Sequence, residues 1–346
     1  MPRLLPRRST IQRVLKSTGG VALLERLPTW SGLVALNYHR IGSPDASLLD
    51  WDMWSATAED FDQHVKTLKS HYDVIGLEDL FGVLGDLGRR PKGRTQRFVM
   101  LTFDDGYRDN FEAAFPILKS HGVPGVFFLT TGFLDRGGLA WWDEIAWMVR
   151  ASRLAGLSGG PHGLDQPLPF DSPDRVRAIR QLLGLAYRLD GQQRDSFLNQ
   201  LADVSGSGRV TQDVSRDLWM NWDMARQLRD AGMSLGAHTV SHPVLSRLTA
   251  DAQNFEISES RLRLDAELGQ PITALSYPVG RRDCFNADTR TALSQNGFDW
   301  AFSFYGGYCD GSKVDRFDLP RIGIERDMSP AQVRSVAALP QLFSRH

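Results

Sequence analysis

Residues 97–106 read Arg-Phe-Val-Met-Leu-Thr-Phe-Asp-Asp-Gly, an apolar run that ends in two adjacent carboxylates and a glycine. A short run of this kind, bounded by turn residues, predicts a buried strand. Leu33–Tyr38, Gly125–Leu129, Met233–Ala237, Ile272–Tyr277 and Trp300–Phe304 follow the same pattern. Helical patterns alternate with them. Residues 58–70 follow a capping box of Thr57 and Asp60, 110–121 stop at Gly122, 249–268 stop at Gly269, and 286–296 run from an Asn286 cap to Gly297. Strand–helix alternation with short connections implies an α/β fold, either a barrel or a doubly wound sheet. In both, chemistry gathers at the carboxyl ends of the strands. Asp104, Asp105, His238 and the segment Pro278-Val279-Gly280 are expected there, with His39 and Trp300 also at strand ends.

Residues 137–225 break the alternation. They are helix-rich, carry Gly-containing breaks at Ser158–Gly163 and Ser205–Gly208, and separate the aspartate pair from the histidines. They read as a helical insertion within one catalytic domain over 31–330, flanked by a basic leader over 1–30 and a C-terminal tail over 331–346.

Composition narrows the partners. The chain has 346 residues, 42% of them apolar, which suits a globular protein with a sizeable core. A net charge of −1 provides no global field to draw in nucleic acid. The 34 arginines greatly outnumber the six lysines but are scattered. Cys284 and Cys309 lie in no ligand-spaced cluster and read as reduced thiols of a cytoplasmic protein. No stretch approaches the roughly 20 apolar residues of a membrane span. The longest apolar piece near the start, Val21–Leu24, is too short for a signal sequence, which places the expected activity in the cytoplasm. Residues 7–27 read either as a basic amphipathic helix resting on a membrane or as a solvated leader, since Gly19-Gly20 interrupts the pattern.

The candidate chemistry comes from two clusters. Neighbouring side chains on a strand point to opposite faces, but Gly106 lets the chain turn so that Asp104 and Asp105 reach one cleft. Alone, Asp-Asp-Gly is also the composition of an ordinary solvated turn. Downstream, His238-Thr-Val-Ser-His242 spaces two imidazoles i, i+4 on one side of a tight loop, a frequent two-point metal chelate. Two imidazoles and one carboxylate leave open positions for water and substrate, as catalytic metal sites require. The spare aspartate then serves as a proton acceptor. The combination points to metal-assisted hydrolysis.

The strings Thr102-Phe103-Asp104-Asp105-Gly106-Tyr107 and His238-Thr239-Val240-Ser241-His242 resemble the polysaccharide deacetylases, carbohydrate esterase family 4 with the NodB homology domain. The likeness spans roughly residues 33–325, interrupted by the insertion. It implies a distorted (β/α) barrel of seven or eight strands and metal-dependent de-N-acetylation of an aminosugar. It also implies Asp105, His238 and His242 as ligands of one divalent ion (zinc first, with cobalt, nickel or manganese as alternatives) and Asp104 as catalytic base.

The chain departs from the commonest form of that family in two places. Where an Arg-Pro-Pro-Tyr-Gly string is usual, it has Ser276-Tyr277-Pro278-Val279-Gly280, so Arg321 becomes the candidate to orient the base. The Val279 N–H takes the oxyanion role, and Tyr277 joins the substrate-binding residues. No histidine lies near the C-terminus apart from His346, whereas Asn37-Tyr38-His39-Arg40 follows the first strand. That arrangement resembles poly-N-acetylglucosamine deacetylases with permuted motif order and makes His39 the general acid. Trp300 matches the fourth motif and is expected to wall the pocket. Trp141, Trp142 and Trp147 read either as helix core or as platforms for sugar rings. The implied partner is an aminosugar-containing glycan or a lipid-linked glycan precursor. De-N-formylation of a lipid-linked aminosugar and a non-catalytic sugar-binding protein on the same fold are the competing readings.

Overall fold

Alternation of side chains along seven short strands accounts for the architecture. The strands are β1 (Gly32–Tyr38), β2 (Arg97–Phe103), β3 (Val126–Leu129), β4 (Ser234–Ala237), β5 (Ala274–Ser276), β6 (Trp300–Ser303) and β7 (Leu319–Gly323). All pair in parallel in the order β1-β7-β6-β5-β4-β3-β2, and β2 pairs back onto β1 with Tyr38 opposite Phe103, so the sheet closes as a barrel. The computed structural model describes residues 30–88, 96–159, 164, 166–170, 174–215, 217–311 and 314–343; of the leader expected over 1–30, residues 1–29 lie outside them, as does His346. The barrel of the expected family type is therefore realised with seven strands.

Period-two alternation divides each strand between two apolar clusters. Leu33, Ala35, Met100, Val126, Phe128, Ala274, Trp300, Phe302 and Leu319 form one cluster, the barrel interior. The helix α2 (Leu80–Gly88) joins the same cluster through Leu80, Leu84 and Leu87. The alternate residues Val34, Leu36, Tyr38, Val99, Leu101, Phe103, Phe127, Leu129, Leu235 and Leu275 belong to the outer cluster beneath the surrounding helices. Strands buried on both faces read as continuous apolar runs, which is why they were legible. Gly236 is needed here, because a Cβ on it would meet the Phe128 ring at 2.5 Å.

The helices start and stop where their caps require. Thr57 accepts the Asp60 N–H at the start of α1 (Ala58–His71), whose Phe61, Val65 and Leu68 enter the outer core. Residues 110–114 form a π-type turn before α3 (Phe115–His121), which ends at Gly122 in the left-handed conformation. The insertion lies between β3 and β4. Its helices α4 (Trp141–Ala151), α5 (Asp174–Ala186) and α6 (Gly191–Ser205) share a separate core that includes Ile145, Val149, Ile179, Leu182, Phe197 and Leu201. Further on, α7 (Trp222–Asp230) puts Ala225 and Leu228 into the barrel's outer core. Then come α8 (Ala250–Leu268) and α9 (Ala287–Gln295).

The segment expected as a tail from 331 is built into the fold. Its helix α10 (Pro330–Ala338) buries Val333, Val336 and Ala337, Phe343 follows into the same core, and the Trp30 indole N–H donates to the Ala338 carbonyl at 3.0 Å. Small apolar side chains spaced along one helical face carry this burial, a weaker signal than the strand runs. No helix among the described residues is long and apolar enough to cross a membrane. Phe343→Ala is expected to lower the unfolding free energy by about 3 kcal/mol in urea titration, whereas a solvated tail position would change it by less than about 0.5 kcal/mol.

Candidate active site

The barrel interior changes character towards its carboxyl end. Asn37, Thr102, Ser276 and Arg321 occupy inward positions one step above the apolar layer, all of them buried. Arg321 is fully buried, and its guanidinium forks Asp104, with Nη1 to Oδ1 and Nη2 to Oδ2 both at 2.8 Å. Its remaining donors reach the Ser303 carbonyl at 3.1 Å, Asn37 Oδ1 at 2.9 Å and Ser276 Oγ at 2.7 Å. Asn37 Nδ2 and Ser276 Oγ also donate to Asp104 Oδ2, at 3.1 and 3.2 Å. Burial alone would push the Asp104 carboxyl up, but the Arg321 guanidinium, helped by His238, holds it well below the usual carboxylate range. Its contribution to stability is thus present above that range and lost as pH falls through the folded value.

Asp105 makes the turn out of β2. Its φ of 76° lies in the left-handed region, ahead of Gly106 at 88°. That conformation swings its carboxylate towards the loop after β4. His238 Nε2 and His242 Nε2 each lie 3.3 Å from Asp105 Oδ1. The ligand atoms of the three residues fall within 4.8 Å of one another, and all three residues are buried. Both Asp105 oxygens are buried without a hydrogen-bond partner among the described residues. An ionised carboxylate so placed is costly unless a cation completes it, and a carboxylate with two imidazole nitrogens is the donor set of a catalytic zinc-type site. The residues fit a divalent ion.

The histidine loop is held by groups with no obvious mark in the sequence. Glu256 of α8 accepts the Val240 and Ser241 N–H groups at 2.8 and 2.9 Å and the Ser241 hydroxyl at 2.5 Å. Thr239 Oγ1 accepts the His242 N–H at 3.1 Å. Gly132 donates its N–H to the Val240 carbonyl at 2.8 Å, and any Cβ there would collide with that oxygen. His238 Nδ1 pairs with the Ser276 carbonyl at 2.7 Å, which presents Nε2 to Asp105. Burial pushes the His242 imidazole down to about 3 against the pull of Asp105, favouring the neutral ring that ligation needs. For His238 the two aspartates outweigh burial and the shift is upward.

Among the described residues, every non-glycine residue at positive φ belongs to this region: Asp105, Thr239, His242 and Val279. Two of them are β-branched. Such conformations cost on the order of 1–3 kcal/mol each and cluster at functional sites.

His39 follows β1 directly. Its backbone N–H donates to Ser55 Oγ at 3.0 Å and its carbonyl accepts from Asn110, while its ring lies 5.7 Å from that of Phe304. Burial lowers its pKa, opposed by the nearby Asp105 and Asp104. Val279 sits at φ 61° after β5, and no protein acceptor for its N–H is found among the described residues.

Two expected substrate contacts are not brought to the site. Trp300 opens β6 rather than ending it, so it lies in the amino-terminal layer of the barrel, with its ring 4.8 Å from Phe81. Tyr277 has outward parity: it stacks on Phe285 at 4.1 Å and donates its hydroxyl to the Phe317 carbonyl at 2.8 Å. Both are core residues. Trp142 of the insertion, by contrast, packs on His242, and Trp141 packs against Trp142.

A family model described as polysaccharide deacetylase matches residues 92–179 and 206–301, more than half of the chain. YxkH of Bacillus subtilis (strain 168), itself assigned to the polysaccharide deacetylases, is 21% identical over 298 residues, 86% of this chain and 73% of its own length. The poly-β-1,6-N-acetyl-D-glucosamine N-deacetylase of Staphylococcus epidermidis is 31% identical over 110 residues, which span 29% of this chain and only 37% of that enzyme. Among solved structures, the Streptococcus pyogenes deacetylase PplD in complex with acetate superposes with a TM-score of 0.57 at 19% identity, covering 92% of this chain and 100% of its own. IcaB from Ammonifex degensii gives 0.52 at 18% identity, covering 89% and 97%. These structures share the fold.

Replacing Arg321 by Met leaves Asp104 as an unpaired buried charge. The expected loss of unfolding free energy is about 3–5 kcal/mol, read by chemical denaturation. Arg321→Lys keeps the charge but not the fork and should fall between wild type and Met.

Proposed function

The chain belongs to the polysaccharide deacetylase family, hydrolases of N-acetyl amide bonds, and from that premise we propose that it removes acetyl groups from N-acetylhexosamine units of a glycan in a metal-dependent reaction. The observation that carries the metal dependence is the buried, unpartnered Asp105 carboxylate facing two imidazole nitrogens at 3.3 Å. Asp105, His238 and His242 would hold the ion, zinc by their donor types, with cobalt, nickel or manganese as substitutes. When bound, such an ion polarises a carbonyl oxygen and lowers the pKa of water.

The protein groups supply the rest. Asp104 accepts the proton of the attacking water. Arg321 holds it ionised and in place, and its Oδ1 accepts only from Arg321 Nη1 among the described residues, leaving a lone pair for that proton. The Val279 N–H donates to the carbonyl oxygen as negative charge develops on it. His39 delivers a proton to the nitrogen as the C–N bond breaks, so that acetate and a free amine leave. The substrate class draws support from the staphylococcal relative, whose own substrate is poly-β-1,6-N-acetyl-D-glucosamine.

The test is acetate release from oligomers of β-1,6- and β-1,4-linked N-acetylglucosamine, with formate release from N-formyl analogues run beside it. Metal-loaded wild type is expected to release acetate, and chelator to abolish the release. Asp104→Asn should lose about 10²–10⁴-fold in kcat with metal content unchanged, and His39→Gln should lose a similar factor. Wild-type rates in Asp104→Asn would remove the base assignment, and an inert metal-loaded wild type would remove the function.

A further inference from the structure

The two histidines are supported in different ways. His238 donates through Nδ1 to the Ser276 carbonyl at 2.7 Å, the usual device that fixes both tautomer and ring orientation of a metal-binding histidine. His242 has no such partner: its Nδ1 is buried and makes no hydrogen bond among the described residues. Its backbone is fixed, with φ 55° and the N–H on Thr239 Oγ1, but apart from Asp105 facing Nε2 at 3.3 Å nothing polar among the described residues sets the rotation of its ring.

Two rings touch it: that of His238, the other candidate ligand, at 4.7 Å, and that of Trp142. The His242 and Trp142 ring centroids are 4.4 Å apart with planes at 62°, a close edge-to-face contact. The indole is itself pinned. Its Nε1–H donates to the Tyr107 hydroxyl at 2.8 Å, that hydroxyl donates to Asp143 Oδ2 at 2.7 Å, and Asp143 Oδ1 accepts the Asp50 N–H at 2.9 Å. Trp142, Tyr107, Asp143 and Asp50 are all buried. The Trp141 ring closes on Trp142 from another side at 5.4 Å. Tyr107 follows Asp105 by two residues, so this chain of bonds ties the first insertion helix to the turn that carries the carboxylate ligand.

We propose that Trp142 is the positioning residue that orients the His242 imidazole, and that the insertion is therefore a built part of the metal site rather than a cover over it. The inference rests on the reading of Asp105, His238 and His242 as ligands. With the indole removed, the imidazole keeps the His238 ring on one side only and gains rotational freedom, and holding Nε2 on the ion then costs that freedom.

Cobalt(II) titration of the chelator-stripped full chain tests this through two readouts: the dissociation constant, from competition with a chromophoric chelator, and the ligand-field absorption. Wild type is expected to bind with a spectrum of low coordination number. Trp142→Ala should bind about tenfold or more weakly, the range seen when a ligating histidine loses its supporting partner, with an altered spectrum. Trp142→Phe keeps a ring against His242 and should restore both readouts. Trp142→Leu keeps most of the apolar volume without the ring and stands in should the alanine variant not fold; it is expected to behave as alanine does. Unchanged affinity and spectrum in folded Trp142→Ala or Trp142→Leu would overturn the inference while leaving the ligand assignment intact. A wild-type chain that does not bind cobalt would instead overturn the ligand assignment.

Discussion

One guanidinium organises the catalytic end of this barrel. Arg321 leaves β7 and bonds to Asn37 of β1, to Asp104 at the end of β2, to Ser276 of β5 and to the Ser303 carbonyl of β6. Breaking a buried, bidentate pair leaves an uncompensated charge, so strand positions around the barrel are coupled through a single side chain. The same contacts fix the aspartate that faces the cleft. Barrel closure and placement of Asp104 are therefore one structural problem, solved once.

The histidine loop and the two turns beside it show the cost of that arrangement. Asp105, Thr239, His242 and Val279 take a backbone conformation that side chains disfavour. Glu256, Thr239 Oγ1 and the close approach of Gly132 hold the loop against relaxation. Two buried cores, one beneath the barrel helices and one within the barrel, supply the stability that this strain consumes. With the backbone in this conformation, Asp105 Oδ1 and His242 Nε2 face each other at 3.3 Å.

Much of this was legible in the sequence, and the exceptions have physical reasons. Strands buried on both faces announce themselves as apolar runs, and the aspartate and histidine clusters fall at the ends of β2 and β4. Arg321 was legible only as a missing arginine in search of a replacement, and the fold puts it on Asp104. Trp300 failed as a pocket residue because a motif fixes a residue's strand but not which end of the strand it occupies. Tyr277 failed on parity, since its neighbour Ser276 takes the inward place. Asn37, Thr102 and Ser276 did carry a signal: each is a polar residue at inward parity in a run otherwise apolar. Glu256 carried none, because an acidic residue on a helix is ordinarily solvated and only the loop's return towards α8 gives it partners.

Charge balance links these pieces. The fork of Arg321 neutralises Asp104, whereas among the described residues no arginine or lysine pairs with Asp105, whose two oxygens are buried without a hydrogen bond. Neighbouring carboxylates a residue apart thus have opposite electrostatic fates. One is paired with a guanidinium and kept ionised; the other faces only the two imidazoles. Had Arg321 reached Asp105 instead, burial would push the Asp104 carboxyl up with no guanidinium to oppose it. The division of labour between the two aspartates is set by which of them points down into the polar layer of the barrel and which is turned, at positive φ, towards the imidazoles.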